Sequence, residues 1–196
     1  KQKVKVIPVS SLQGFFYMAK SIRDRLTGKR SAPSSQKVRV SGGKGSDAGA
    51  TRHEIYKAAW DRYNEAMSAG FYLEAITIVD SVITDRIEAY TQHLMHFDET
   101  HQQVASLGDA RAALDIARQD KQIADDAEYK AMRKAVIEFN EGRNKAVHNF
   151  AILTNANAEM TVDARINQAK DTATYGREVY NLVNAYTKKQ IYGGKK

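Results

Sequence analysis

Residues 72–97, Tyr72-Leu-Glu-Ala-Ile-Thr-Ile-Val-Asp-Ser-Val-Ile-Thr-Asp-Arg-Ile-Glu-Ala-Tyr-Thr-Gln-His-Leu-Met-His-Phe97, carry the strongest apolar periodicity in the chain. Leu73, Ile76, Ile83, Ile87, Tyr90 and Leu94 recur at near-heptad spacing, which predicts one long amphipathic helix with a packed seam. Asp80, with Val79 beside it, is the one seam position that no apolar residue fills. A carboxylate on such a seam is costly unless something pairs with it.

Helical patterns flank this stretch on both sides. Upstream, Thr51 reads as an N-cap with Glu54 at the capping-box position. Ile55, Ala59, Tyr63 and Met67 then recur every four residues with Trp60 beside them, and Gly70 ends the helix. Downstream, Asp109 reads as the cap of a shorter helix carrying Ala113, Leu114 and Ala117. A fourth helix is predicted over about Asp126 to Asn140, with Met132, Val136 and Phe139 inward. After a polar break around Thr154 to Ala158 comes a long last helix. Val162, Ile166, Ala169, Ala173, Gly176, Tyr180, Val183 and Tyr186 form its broad face. There is no internal repeat. The fold class is all-α, an antiparallel helical bundle over residues 51–196, preceded by a basic, partly flexible N-terminal extension and linker over 1–50.

Within the extension, residues 3–9 alternate briefly as a short edge strand or an extended arm, and Pro8 interrupts them. Ser11 to Leu26 reads as a weakly amphipathic helix, and Gly28 to Ala50 as a linker. Gly42, Gly43, Gly45 and Lys44 lack the spacing and flanking elements of a phosphate-binding loop. Residues 1–50 hold 11 Lys or Arg against 2 acids, a net 11 − 2 = +9. Residues 51–196 hold 19 against 21, a net 19 − 21 = −2. The basic arm reads equally as a footprint for a polyanion, most simply RNA, or as a solubilising tail. On the first reading Lys29, Arg30, Lys37 and Arg39, with Lys145 in the body, are the RNA-binding candidates. No cysteine is present, so disulfides and thiolate metal sites are excluded. No apolar run approaches the roughly 18 residues of a membrane span. The N-terminal apolar stretch is too short and interrupted for a secretory signal, and a cytoplasmic protein is expected.

The chemistry concentrates in Arg143-Asn-Lys-Ala-Val-His148. An arginine can hold a phosphate bidentately, and a histidine can move protons near neutral pH. On a helix Asn144 and His148 stand at i and i+4, so the amide can orient the imidazole. Arg143 and His148 are then about 140° apart. They can share one ligand only if Arg143 lies in a turn before the helix, and Gly142 suggests such a turn. With Arg143 clamping a phosphate and His148 moving a proton, metal-free RNA transesterification becomes possible. It leaves a 2′,3′-cyclic phosphate and a 5′-hydroxyl. The reaction needs both an acid and a base, which predicts a two-fold homodimer that joins two copies of the element.

Arg143-Asn144, three residues, then His148 resembles the Arg-x4–6-His signature of the HEPN domain. The segment Gly70 to Ile87 looks like the long helix of abortive-infection-type HEPN proteins. This resemblance covers roughly residues 51–188. It implies a metal-independent, cofactor-free endoribonuclease, a toxin or antiphage effector, with Arg143 and His148 carrying the chemistry and Asn144 supporting them. It also implies a homodimer and restraint by an antitoxin or a regulatory RNA. Such proteins commonly add an acidic residue from the long helix, and Asp80 and Asp85 both match. The tyrosine often found two residues after the histidine is replaced by Phe150, which argues against control by adenylylation. A non-catalytic RNA-binding bundle and a structural interaction module are the competing readings. His93, His96, His101, Asp98 and Glu99 carry ligand-type side chains, yet their pattern reads as a polar helix end rather than a metal site. Tyr175, Tyr180, Tyr186 and Tyr192 can stack on bases but fit core or interface positions better.

Overall fold

The computed structural model describes residues 47–95 and 106–193. The N-terminal arm with Lys29, Arg30, Lys37 and Arg39 lies outside the described residues, as do His96, Asp98, Glu99 and His101. Five helices make up the described chain: α1 Asp47–Ala69, α2 Tyr72–Met95, α3 Leu107–Asp120, α4 Ala127–Ala151 and α5 Val162–Tyr192. No strand occurs among the described residues, and the all-α bundle is as expected. No described helix is long and apolar enough to cross a membrane.

The seam of α2 makes it the hub. Ala75, Ile76, Val79, Ile83, Ile87 and Tyr90 are buried, and α2 packs on α1, α3 and α5. In contrast, α4 rests mainly on α5 and touches α2 only slightly. Between α1 and α2, Gly70 takes φ +80°, the left-handed region that a side chain disfavours. The Phe71 N–H reaches back to the Ala66 carbonyl at 2.8 Å, which closes the end of α1.

Three local expectations are corrected. The first helix starts at Asp47, so Thr51 is inside it rather than its cap. Ile55 is 61% exposed, whereas Tyr63, Met67 and Trp60 pack inward as expected, with Ala66 buried among them. Tyr63 decides this rotation, because its ring is buried and its hydroxyl donates to the Ala173 carbonyl at 3.0 Å. The cap of α3 is Ser106, whose Oγ accepts the Asp109 N–H at 3.3 Å, so Asp109 sits in the first turn.

A buried cation locks α3 to α4 and α5. Arg118 is 2% exposed and lies 3.7 Å over the Tyr129 ring. It donates from Nη1 to the Tyr186 hydroxyl at 2.5 Å and from Nη2 to the Ala124 carbonyl at 2.6 Å. Ring face and carbonyl replace much of the water that the guanidinium loses.

Three helices approach closely at Gly176 of α5. A Cβ there would stand 2.6 Å from Phe139 Cε2 of α4 and 2.7 Å from Val79 Cγ1 of α2. Both partners are fully buried and cannot retreat. Gly142 of α4 is different, since a Cβ there would meet Thr172 at an ordinary 3.6 Å. Gly176→Ala should therefore destabilise by about 1–3 kcal/mol through overpacking, despite the gain of roughly 1 kcal/mol in helix propensity. Gly142→Ala should be neutral or stabilising by up to about 1 kcal/mol. Urea unfolding followed by circular dichroism at fixed protein concentration separates them, and equal effects at the two glycines would refute this packing.

Candidate functional site

Gly142 does not break the helix: α4 continues to Ala151, so the whole Arg143–His148 element is helical. The expected turn before Arg143 is absent, and the reason is packing. Phe139, Gly142 and Ala146 fall at i, i+3 and i+7 on the stripe that faces α5, where Gly142 lies opposite Thr172. Arg143 and His148 consequently project about 140° apart from one rigid helix.

Arg143 sits at the rim of the core. Its Nη2 lies 3.3 Å from Asp80 Oδ2 on α2, and its Nη1 donates to Asn144 Oδ1 at 3.1 Å. Asn144 therefore supports Arg143, and no hydrogen bond joins it to His148 among the described residues. His148 is exposed, as are Asn144 and Lys145. Within one chain the structure brings Asp80, Arg143 and Asn144 together and leaves the imidazole on the solvent side.

Asp80 is the more constrained member of the pair. Its side chain is only 14% exposed against 35% for Arg143, and its Oδ1 is buried without a hydrogen-bond partner. Burial pushes the Asp80 carboxyl above the usual carboxylate range, and the Arg143 guanidinium offsets part of that rise. Asp85, the other acidic candidate, turns to α1. It accepts a 2.7 Å hydrogen bond from the Tyr56 hydroxyl and lies 3.9 Å from Arg52 Nε. Five residues separate the two acids, so about 140° of helix rotation divides their surroundings.

The end of α4 is held by a polar clasp that the sequence shows only as a polar break. Asn157, 5% exposed, donates from Nδ2 to Asn149 Oδ1 and to the Ile152 carbonyl, both at 2.9 Å. Arg165 of α5 donates to the Asn149 and Asn157 carbonyls. Asn149 donates to Gln168 Oε1 at 2.7 Å. The last carbonyls of any helix need such partners, and a cation one turn into the following helix is the signal that could have pointed to Arg165.

Apolar side chains are exposed toward the end of α4 and just beyond it. Val147 and Phe150 are each 42% exposed, and Leu153 is 75% exposed. Phe150, Phe71 and Ile166 line one shallow groove of about 440 Å3. Among the described residues no cluster of His, Asp or Glu could hold a metal ion, and His93 is exposed. Tyr186 belongs to the core, Tyr180 packs on Trp60, Tyr175 donates to Glu138 and Tyr192 is exposed.

No protein-family model, curated protein or solved structure matches the chain.

The raised Asp80 carboxyl fixes the sign of one pH effect. Between the ordinary carboxylate value, about 3.9, and its raised native value, the folded chain binds more protons than the unfolded one. The contribution of Asp80 to stability therefore falls as pH rises through that window. Asp80→Asn cannot titrate, so it should gain stability relative to wild type as pH rises above about 3.9. Urea unfolding of both across that range checks this, and a pH-independent difference would exclude it.

Proposed function

We propose that the protein is a metal-independent endoribonuclease of the HEPN type, acting as a toxin or antiphage abortive-infection effector. Its active site is composite, and two copies of the Arg143–His148 element complete it. The observation that carries this reading is the Asp80–Arg143 contact at 3.3 Å. A carboxylate from the long helix steadies the motif arginine at a half-exposed rim, with Asn144 on its other side. So held, the guanidinium is preorganised for a phosphodiester oxygen at little further entropic cost.

Geometry also supports the need for a second copy. One continuous helix directs Arg143 and His148 about 140° apart, so a single chain offers no common point for cation and imidazole. Val147 and Phe150, one turn apart on the last part of α4, and Leu153 just beyond it are exposed apolar side chains of the kind that a partner covers. In the dimer one imidazole would take the 2′-hydroxyl proton and the other would return a proton to the leaving 5′-oxygen. The chain works in the cytoplasm on this reading, under an antitoxin or a regulatory RNA.

One observation favours a second reading. Asp80 and Asn144 already engage Arg143, as they would in a non-catalytic RNA-binding bundle where that arginine pins two helices. A single assay separates the two: cleavage of a mixed-sequence RNA in the presence of a chelator, with the product ends identified. His148→Ala should lower cleavage by about 10²-fold or more, and Arg143→Ala comparably, while the helical content of both stays unchanged. Wild-type products should end in 2′,3′-cyclic phosphate and 5′-hydroxyl. Full activity in His148→Ala would sink the composite site, and salt-sensitive binding without products would establish the second reading.

A further inference from the structure

A second basic surface lies away from Arg143. Residues 51–196 carry a net −2, yet one groove of about 530 Å3 between α1, α2 and α5 is lined by Arg52, Lys57, Arg86, Arg177 and Lys188, with His53 beside them. Among the described residues Asp61 is the one carboxylate in that lining. Two of the arginines are held by uncharged partners. Arg177 lies 3.8 Å over the Trp60 ring, and Arg86 Nε donates to Thr187 Oγ1 at 3.1 Å. A guanidinium fixed by a ring or a hydroxyl keeps its full charge for a ligand, whereas one fixed by a carboxylate does not. Arg52 is the contrasting case, since it lies 3.9 Å from Asp85.

Aromatic rings interleave with these cations. Tyr56, Trp60 and Tyr180 line the same groove, and the Trp60 and Tyr180 ring centres are 4.6 Å apart. Among the described residues no aliphatic side chain lines it, and the Trp60 ring, which suits a lipid surface, is packed against Arg177 and Tyr180 instead. Forked guanidinium groups set beside half-buried aromatic rings suit a strand of phosphates that carries flat bases. The covalent context points the same way, because the segment of net charge +9 runs directly into α1, whose first turns carry Arg52 and His53.

We propose that this groove binds the phosphate backbone of single-stranded RNA and acts as a substrate-holding site remote from the Arg143–His148 element. The choice of RNA rests on the ribonuclease reading. Along α5 the groove cations Arg177 and Lys188 lie 9 and 20 residues beyond Gln168, which is tied to the end of α4. That places them roughly 14 and 30 Å further along the helix. A strand held there would extend past the cleavage site, so the enzyme would favour long substrates over dinucleotides.

Trp60 is the only tryptophan in the chain, which makes its emission a reporter of this groove. The experiment titrates the full-length protein with a single-stranded uridine oligonucleotide at several salt concentrations, in a His148→Ala background that leaves the probe intact. Binding should change Trp60 emission. In Lys57→Ala/Lys188→Ala, both exposed positions, the dissociation constant at low salt should rise roughly tenfold, and the salt slope should become shallower by about 1.4. Binding that leaves Trp60 emission unchanged, or equal affinity and slope in the lysine variant, would overturn the site. A response to anionic phospholipid vesicles but not to the oligonucleotide would overturn it as well. Cleavage of the same oligonucleotide by the otherwise wild-type chain is scored separately. Groove binding without cleavage removes the ribonuclease reading and leaves the groove, while cleavage indifferent to the two lysines does the reverse.

Discussion

The missing side chain at residue 176 governs how three helices of this bundle meet. A methyl group there would stand within 2.7 Å of both Val79 and Phe139, so α2 and α4 reach their present separation only because α5 carries glycine at that level. Direct packing between α2 and α4 is slight, and α5 therefore sets their spacing. Asp80 follows Val79 by one residue, and Arg143 follows Phe139 by one helical turn. The carboxylate and guanidinium of the candidate site thus meet one step from the close contact at Gly176. Close approach sets the spacing, and the ion pair follows from it.

That ion pair is costly to hold and informative for the same reason. Asp80 is mostly buried, one of its oxygens has no partner, and its carboxyl is pushed upward by burial. A half-exposed pair of this kind adds little stability by itself. Its consequence is positional: Arg143 stays at the rim in one orientation. Because α4 is unbroken through Gly142, the histidine five residues on is carried to the opposite side. A rigid helix that separates cation and imidazole in one chain is the physical basis for proposing that two chains complete the site. The clasp of Asn149, Asn157 and Arg165 fastens the end of that helix, so flexing of α4 does not offer an easy alternative.

Much of this organisation is legible in the residues. The apolar seam of 72–97 announces α2, and Asp80 stands out on it as the position that requires a partner. Gly176 falls on the inward face of the last helix in the periodicity alone. What periodicity cannot show is why a glycine is present. Gly142 reads as a helix breaker, but it lies on the stripe facing α5 and marks packing against Thr172. Ile55 reads as core because it is apolar, yet the Tyr63 hydroxyl bond to Ala173 fixes the rotation of α1 and turns Ile55 outward. Seam position favours Asp80 over Asp85 only slightly, and the partners on α4 and α1 separate them. The groove cations lie on three helices far apart in sequence, where no local pattern joins them.

The most direct measurement is an NMR titration of the Asp80 carboxyl carbon in the folded wild-type chain and in folded Gly176→Ala. If α5 sets the spacing of α2 and α4, the wild-type midpoint should lie above the ordinary carboxylate value. In Gly176→Ala the helices must part to admit the methyl group, water should reach Asp80, and the midpoint should fall back toward that ordinary value. An elevated midpoint unchanged by the substitution would contradict the link between the Gly176 contact and the Asp80–Arg143 pair.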